Sequence, residues 1–510
     1  MPAAGVTPAG VVLAVDVGTS GARAFSYDER YVIQATAGAP ITTISGADGS
    51  SAQAWEQVRS AIAGSIREVA ARSAAPVAAL VLSGTASCLV PCWPGPGDEH
   101  RAGEYRAGEH RAGEHRAGEY RAGEVILWSD TRASAEQAEV DAMMRGSYQR
   151  TVCPAHVSYW PAKLRWLARH QPAPMASGRF TTAKDLFYEL ATGQRWTDPM
   201  TAASTGVFDS DGWGWDAALL AESGVSAGQL PEVRAATAHA PLRAGLAAEL
   251  GLPRDLPVVL GGMDGPLAQL GAAGFAGRVA TCTVGTSIAV RAMATARTPD
   301  PAQRLWCYPI SGKHWVTGGA GSNGGNVLDW VARTTGAREG VGDLLREALA
   351  RPADPSLVFL PYLNGERSPL WRDDLRGALI GLASHHGPAD VARAALDGVA
   401  GAVQELAGAV AACVGEPAEV RLTGGFLADE HWTQLVTDAL GVVTSVPEPP
   451  EATATGAAVL GWLALGHPEP EPPFPARATK ERSPDGAAHA ALVAKSALMR
   501  ELRARLFPRP

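Results

Sequence analysis

The sequence predicts an α/β fold built as two related halves, and three observations carry that prediction. Val-rich strands alternate with helices of 3.6-residue period along a chain of 510 residues. The tetrapeptide Val-Gly-Thr-Ser closes an apolar strand twice, at Val17–Ser20 and at Val284–Ser287, 267 positions apart. A strand running into Gly-Gly and then a helix also occurs twice, at Gly261-Gly262 and Gly424-Gly425. Each glycine-hydroxyl turn offers backbone N–H groups to anionic oxygens, so the paired turns describe a cleft with phosphates between the halves.

In chain order, residues 11–28 read as two strands around the first Gly-Thr-Ser-Gly turn. Trp55, Val58, Ile62, Ile66 and Val69 recur at helical spacing within 52–72, and VAALVLSG from Val77 is the next strand. An insertion over 98–124 carries five copies of the pentapeptide [HY]RAGE between His100 and Glu124. One Arg and one Glu per unit with almost nothing apolar cannot offset ordering entropy by burial, so a solvated loop is expected. Metal binding by His100, His110 and His115, or docking of a protein, are the alternatives. Residues 131–169 are expected to be mainly helical with a break near Pro161, and 180–208 to hold a short helix ended by Gly193. The proline-bearing stretch 240–256 is the candidate boundary, giving an N-terminal domain over 1–250 and a C-terminal domain over 251–510. Beyond it come the Pro257 strand, Asp264, a small-residue helix and the second turn. A hairpin, a glycine cluster, a helix starting near Asn326, a long helix over 389–413 and a polar helix over 483–508 follow.

Composition narrows the partners. Against 44 Lys and Arg stand 52 Asp and Glu, a net charge of −8, which is no footprint for nucleic acid or an anionic membrane. Small molecules are the expected partners. The six cysteines form no CxxC pair and sit mostly in apolar runs, as reduced thiols do. The first ten residues lack a cationic region, and no stretch of about 18 uninterrupted apolar residues is present, so cytoplasm is the expected location. Oligomeric state stays open, a homodimer being the assembly considered.

Candidate site residues follow from the turns. Gly18, Thr19 and Ser20, and Gly285 with Thr286, combine backbone donors with hydroxyls suited to nucleotide phosphates. Asp16, just before the first turn, is placed to hold Mg2+ through water. At Gly424-Gly425 a backbone without side chains can lie flat against an adenine or ribose. Asp264, alone after Gly261-Gly262, suits a general base that takes the proton of an attacking alcohol. Its structural alternative is a helix cap.

The ordered segments DVGTSGAR, WSDTR, GGMDGPLAQLG, TVGTS, GERSPLW and TGGFLADEHWTQL resemble the FGGY carbohydrate kinases of the actin-like ATPase superfamily, from Val11 to about Trp462. DGPLAQLG, TVGTSIAVR and FLPYLNGERSPLW look most like the gluconate kinases. The resemblance implies two actin-like (ribonuclease H-like) domains with a nucleotide cleft between them, ATP and Mg2+ as cofactors, and a small sugar or sugar acid as acceptor. It implies Asp264 as catalytic base. For the nucleotide it implies Asp16, Gly18, Thr19, Ser20 and Arg23, then Gly285, Thr286 and Gly325, then Gly424, Gly425 and Asp429. For the sugar it implies Trp128, Asp130, Arg132, Asp264 and Arg367, and separately Glu366 and Arg367 match the GER element of the second domain. Ala86-Ser87 stand where many relatives carry Met-His, a departure that changes which sugar hydroxyls can be paired and leaves the substrate open, with Ser87 as the residue of that loop expected at the sugar. Gluconate going to 6-phosphogluconate is the leading reaction, with Arg132, Lys163 and Arg367 as candidate partners for its carboxylate. A xylulose or polyol kinase is the alternative, and an ATPase or regulator that phosphorylates no sugar is the alternative of another class.

Overall fold

The computed structural model describes residues 10–94, 120–275, 277–336, 341–471 and 477–508. Two compact units emerge from the contacts. The first comprises Met1–Gly274, Tyr308–Trp315 and Glu451–Glu471, and the second Phe275–Cys307, Val316–Pro450 and Pro472–Pro510.

The sheet of the first unit has six strands in the order His239–Pro241, Pro257–Met263, Val77–Gly84, Val11–Val17, Gly21–Tyr27, Ile33–Pro40. All seven residues of Val11–Val17 are buried, as a central strand covered on both faces requires. Val11–Val17 pairs antiparallel with Gly21–Tyr27 across the Gly18-Thr19-Ser20 turn, and parallel with Val77–Gly84 on its other side. Helix Trp55–Arg72 brings Trp55, Val58, Ile62, Ile66 and Val69 into the same core cluster as Val11, Leu13, Val15 and Val17. Helix Ala452–Ala464 packs on the strands too. A Cβ on its Gly461 would lie 2.6 Å from methyls of both Val12 and Val81, so glycine sets how closely helix and sheet approach.

Among its neighbours, helix Ala452–Ala464 meets helix Asp264–Ala273 most intimately. A Cβ at Gly271 would stand 1.8 Å from the Ala452 carbonyl oxygen, and one at Gly456 2.1 Å from that of Leu267. The two backbones are interlocked, which fixes the helix that begins with Asp264.

The second unit repeats this centre. Val279–Val284 pairs antiparallel with Ile288–Ala294 across the Gly285-Thr286-Ser287 turn and parallel with Glu419–Thr423, which continues to Thr444–Glu448 and Arg477–Arg482. Both sheets therefore put a hairpin beside a parallel third strand, with the glycine-hydroxyl turn at the hairpin tip. Helix Pro388–Val414 is apolar enough by composition to cross a membrane, yet Leu396, Val399, Val403 and Leu406 lie in the core of this unit. Helix Gly486–Leu506 packs against it, and Lys495 Nζ reaches Asp397 Oδ2 at 2.7 Å.

Three expectations are corrected. The boundary at 250/251 moves to Gly274, because Pro257–Met263 bonds in parallel to Val77–Gly84 and carries Asp264 into the first unit. Pro161 does not break a helix: it is the second residue of Trp160–His170, where its missing N–H has no intrahelical partner to lose. The repeat insertion falls mostly outside the described residues, but its last copy is not a solvated loop. Tyr120–Ala122 forms a strand against Val90–Pro94, with Arg179 stacked 3.9 Å from the Tyr120 ring.

Candidate active site

In the first unit the turn after Val17 is held from behind. Gly18 N–H donates to the Gly21 carbonyl at 2.9 Å. The Thr19 carbonyl accepts from Gln53 Nε2 at 2.7 Å and from Thr43 Oγ1 at 2.9 Å, and the Ser20 carbonyl from Ile41 N–H at 3.0 Å. With the carbonyls drawn inward, Ser20 is exposed and Thr19 half-buried.

Asp16 sits across the hairpin from Arg23, whose Nη2 reaches Asp16 Oδ2 at 2.8 Å. Burial pushes the Asp16 carboxyl above the usual carboxylate value, and the Arg23 guanidinium offsets only part of that rise. One carboxylate beside a glycine-hydroxyl turn is a donor set that would suit Mg2+, which keeps several waters and takes few protein ligands. Arg23 is exposed and serves here as the partner of Asp16.

Asp264 opens helix Asp264–Ala273, and its Oδ1 accepts the Gly265 N–H at 2.7 Å. Its approach is set by the preceding glycines. Gly261 has φ +69°, and a Cβ there would lie 1.8 Å from the Leu82 carbonyl oxygen. The pairing with Val77–Gly84 shifts register between Val259 and Gly262, so the strand bulges just before the acid.

Beneath that bulge lies a group that sequence reasoning missed. Lys184, 1% exposed, donates from Nζ to Asp185 Oδ1 at 2.6 Å and to the Leu260 carbonyl at 3.1 Å, with Asp198 Oδ2 at 3.1 Å. Burial pulls the ammonium down, but the two carboxylates outweigh it and hold Lys184 above the usual lysine value. No spacing signal marks this trio, because Lys and Asp on short helices read as surface residues.

On the expected sugar side, Asp130 is buried and accepts from Ser51 N–H at 2.9 Å and Arg132 Nη2 at 2.7 Å. Arg132 also bonds Glu124 Oε1 at 2.6 Å and stacks 4.6 Å from the Trp166 ring. Trp128 is half-buried at the head of this loop. Lys163, 2% exposed, donates to the Leu127 carbonyl at 2.6 Å and the Ser158 carbonyl at 2.9 Å. Burial pushes its ammonium down to about 7. Ser87 has φ +54°, gives its hydroxyl to the Ser204 carbonyl at 2.6 Å and is 4% exposed. Of the three cations expected to meet a substrate carboxylate, Arg132 is thus bound to two acids of its own unit and Lys163 to two carbonyls. Arg367 lies in the second unit, where its Nη2 donates to the Gly321 carbonyl at 2.8 Å.

In the second unit the turn after Val284 is tied to the glycine loop. Gly325 N–H donates to the Gly285 carbonyl at 2.7 Å, and Asn326 N–H to that of Thr286 at 3.4 Å. Gly424 has φ +114°, and a Cβ there would meet the Val284 carbonyl oxygen at 2.2 Å. A Cβ at Gly285 or Gly425 would meet nothing within 4 Å among the described residues, so at these two glycines the backbone faces open space. Asp429 caps helix Glu430–Leu440, its Oδ1 accepting the His431 and Trp432 N–H groups at 2.9 Å each.

The N-terminal domain model of the FGGY family of carbohydrate kinases matches residues 120–271, and the C-terminal domain model residues 280–465. Gluconokinase of Bacillus subtilis (strain 168) is 30% identical over 359 residues, covering 67% of this chain and 70% of that protein. Xylulose kinase of Escherichia coli (strain K12) is 30% identical over 323 residues, covering 62% and 66%. Among solved structures, gluconate kinase from Lactobacillus acidophilus gives a TM-score of 0.86 at 25% identity, over 97% of this chain and 98% of its own. Ligand-bound xylulose kinase from the same organism gives 0.86 at 25%, over 98% of each. The fold is that of a two-domain carbohydrate kinase. The chain belongs to the FGGY family.

Proposed function

We propose that this kinase transfers the γ-phosphoryl group of ATP to a hydroxyl of a sugar acid, with gluconate as acceptor and 6-phosphogluconate as product. The observation that carries the reading is the acid at the end of a bulged glycine strand, in a chain 30% identical to gluconokinase over two thirds of its length. Asp264 would accept the acceptor's hydroxyl proton while the freed oxygen attacks the γ-phosphorus and the bond to the β-phosphate oxygen breaks, releasing ADP. The turns at Gly18–Ser20 and Gly285-Thr286 would supply N–H and hydroxyl donors to phosphate oxygens, and the open backbone at Gly425 a surface for the nucleoside. Mg2+ held by Asp16 through water would neutralise charge on those oxygens. Six free cysteines accord with a reducing, cytoplasmic setting.

One observation favours a second acceptor. A carboxylate substrate needs a cation, and Arg132 and Lys163 are already engaged within the first unit. A neutral ketose such as xylulose has no such need, and xylulose kinases are among the relatives.

A coupled ADP-release assay over gluconate, xylulose, ribulose, glycerol and erythritol tests both. The expected result is acceptor-dependent release with gluconate giving the highest kcat/KM. Highest kcat/KM with xylulose moves the assignment to the ketose, and release that ignores every acceptor makes the chain an ATPase.

A further inference from the structure

Glu366 is 2% exposed and has no part in the chemistry above. Its Oε1 accepts the backbone N–H groups of Ser322 and of Arg367, the latter at 3.0 Å, and its Oε2 accepts Asn323 Nδ2 at 3.1 Å. A buried acid is costly, and three N–H donors offset that cost only if the loop keeps them aimed at it. Asn323 doubles the tie, donating to the Gly365 carbonyl at 2.7 Å and accepting the Asn364 N–H at 3.3 Å.

From there the bonds run on without a gap. Asn326 Nδ2 donates to the Ser322 carbonyl at 3.0 Å, and Asn326 Oδ1 accepts the Gly324 N–H at 2.8 Å. Gly325 and Asn326 then bond the carbonyls of Gly285 and Thr286. Every link lies in the second unit. The loop has no slack: a Cβ at Gly321 would stand 2.7 Å from Ile288 Cγ1 and 3.1 Å from Glu366 Oε1, and one at Gly324 2.8 Å from the Ser287 carbonyl carbon. Arg367 clamps the same loop through the Gly321 carbonyl.

We infer that Glu366 is a positioning residue for the phosphate donor: it holds the Ser322–Asn326 loop, and through it the Gly285-Thr286 turn, in the arrangement that receives the nucleotide phosphates. The inference rests on the reading of those turns as phosphate-binding. It separates the two substrates, because the network runs to the donor turn through side chains and backbone of the second unit and meets one residue expected at the sugar, Arg367, whose backbone N–H bonds Glu366 and whose guanidinium bonds the Gly321 carbonyl.

The test measures ATP dissociation constants by calorimetry in the absence of acceptor, alongside KM for ATP, KM for acceptor and kcat. Glu366→Ala should weaken ATP binding about tenfold or more while leaving acceptor KM within about twofold. Glu366→Gln keeps the oxygen that serves Ser322 and Arg367 but turns an amide toward the Asn323 amide, so a loss of about threefold is expected. If Glu366→Ala is insoluble, Asn323→Ala takes its place with a loss of about threefold to tenfold. Wild-type ATP affinity in a folded Glu366→Ala or Asn323→Ala protein overturns the inference, as does an equal rise in the donor and acceptor constants. A wild-type chain that binds no ATP overturns instead the reading on which it rests.

Discussion

Asp264 and Lys163 illustrate what single side chains contribute. Asp264→Asn preserves the bond to Gly265 N–H through its amide oxygen but cannot accept a proton. Phosphoryl transfer should fall by roughly 10^2 to 10^4 with ATP affinity kept, and near-normal turnover would remove the base assignment. Lys163 is buried with its ammonium pushed down to about 7 from 10.5, so between those values the unfolded chain binds the extra proton. Stability contributed by this site therefore rises as pH goes from about 7 toward 10, and the penalty of a buried charge is fully present below pH 7. Lys163→Met carries no proton to lose. Urea unfolding at pH 6, 7.5 and 9 should show the wild type gaining on the variant with rising pH, and a constant gap would show that Lys163 does not titrate there. The lysine was visible in the sequence, but its burial was not, since a cation on an amphipathic helix reads as solvent-facing.

At the level of elements, the two hairpins were legible because Val-rich runs flank each Gly-Thr-Ser turn, a pattern that needs only local rules. The bulge before Asp264 was legible only as Gly-Gly. What makes glycine obligatory is the Leu82 carbonyl on a strand far off in sequence. Gly261→Ala combines a left-handed backbone with that contact and should destabilise the first unit by about 2 kcal/mol or more, read as a fall in Tm together with lost turnover. An unchanged Tm would show that the bulge can relax. The Lys184, Asp185 and Asp198 trio escaped detection for the same reason, since its partners converge from separate segments. The last repeat copy was misread because Tyr120–Ala122 gains its order from Val90–Pro94 rather than from its own composition.

For the whole chain, deletion of residues 100–119 should leave kcat/KM within about twofold, on the composition argument that repeats with almost nothing apolar have little to contribute to a core. Removal of residues 100–124 should also lower Tm, through a loss of up to about 1 kcal/mol of stability for the Glu124 pair with Arg132 and a further loss for the strand. Equal Tm for the two deletions would contradict the ordering of that last copy. The division of the molecule was the least legible feature. The sequence read as two successive halves, whereas Glu451–Glu471 returns to the first unit after the second has been threaded. Helix Ala452–Ala464 is apolar almost all round and gives no face to read, so its destination was hidden. Its interlock with the Asp264 helix through Gly271 and Gly456 bears on how the protein is made. A ribosome must emit some 450 residues before the Asp264 helix can acquire its lasting neighbour, so the early portion waits, with Val12 and Val81 uncovered, for a segment not yet translated. Expressed by itself, the 1–274 fragment should aggregate, and supplying 451–471 by fusion should restore its solubility.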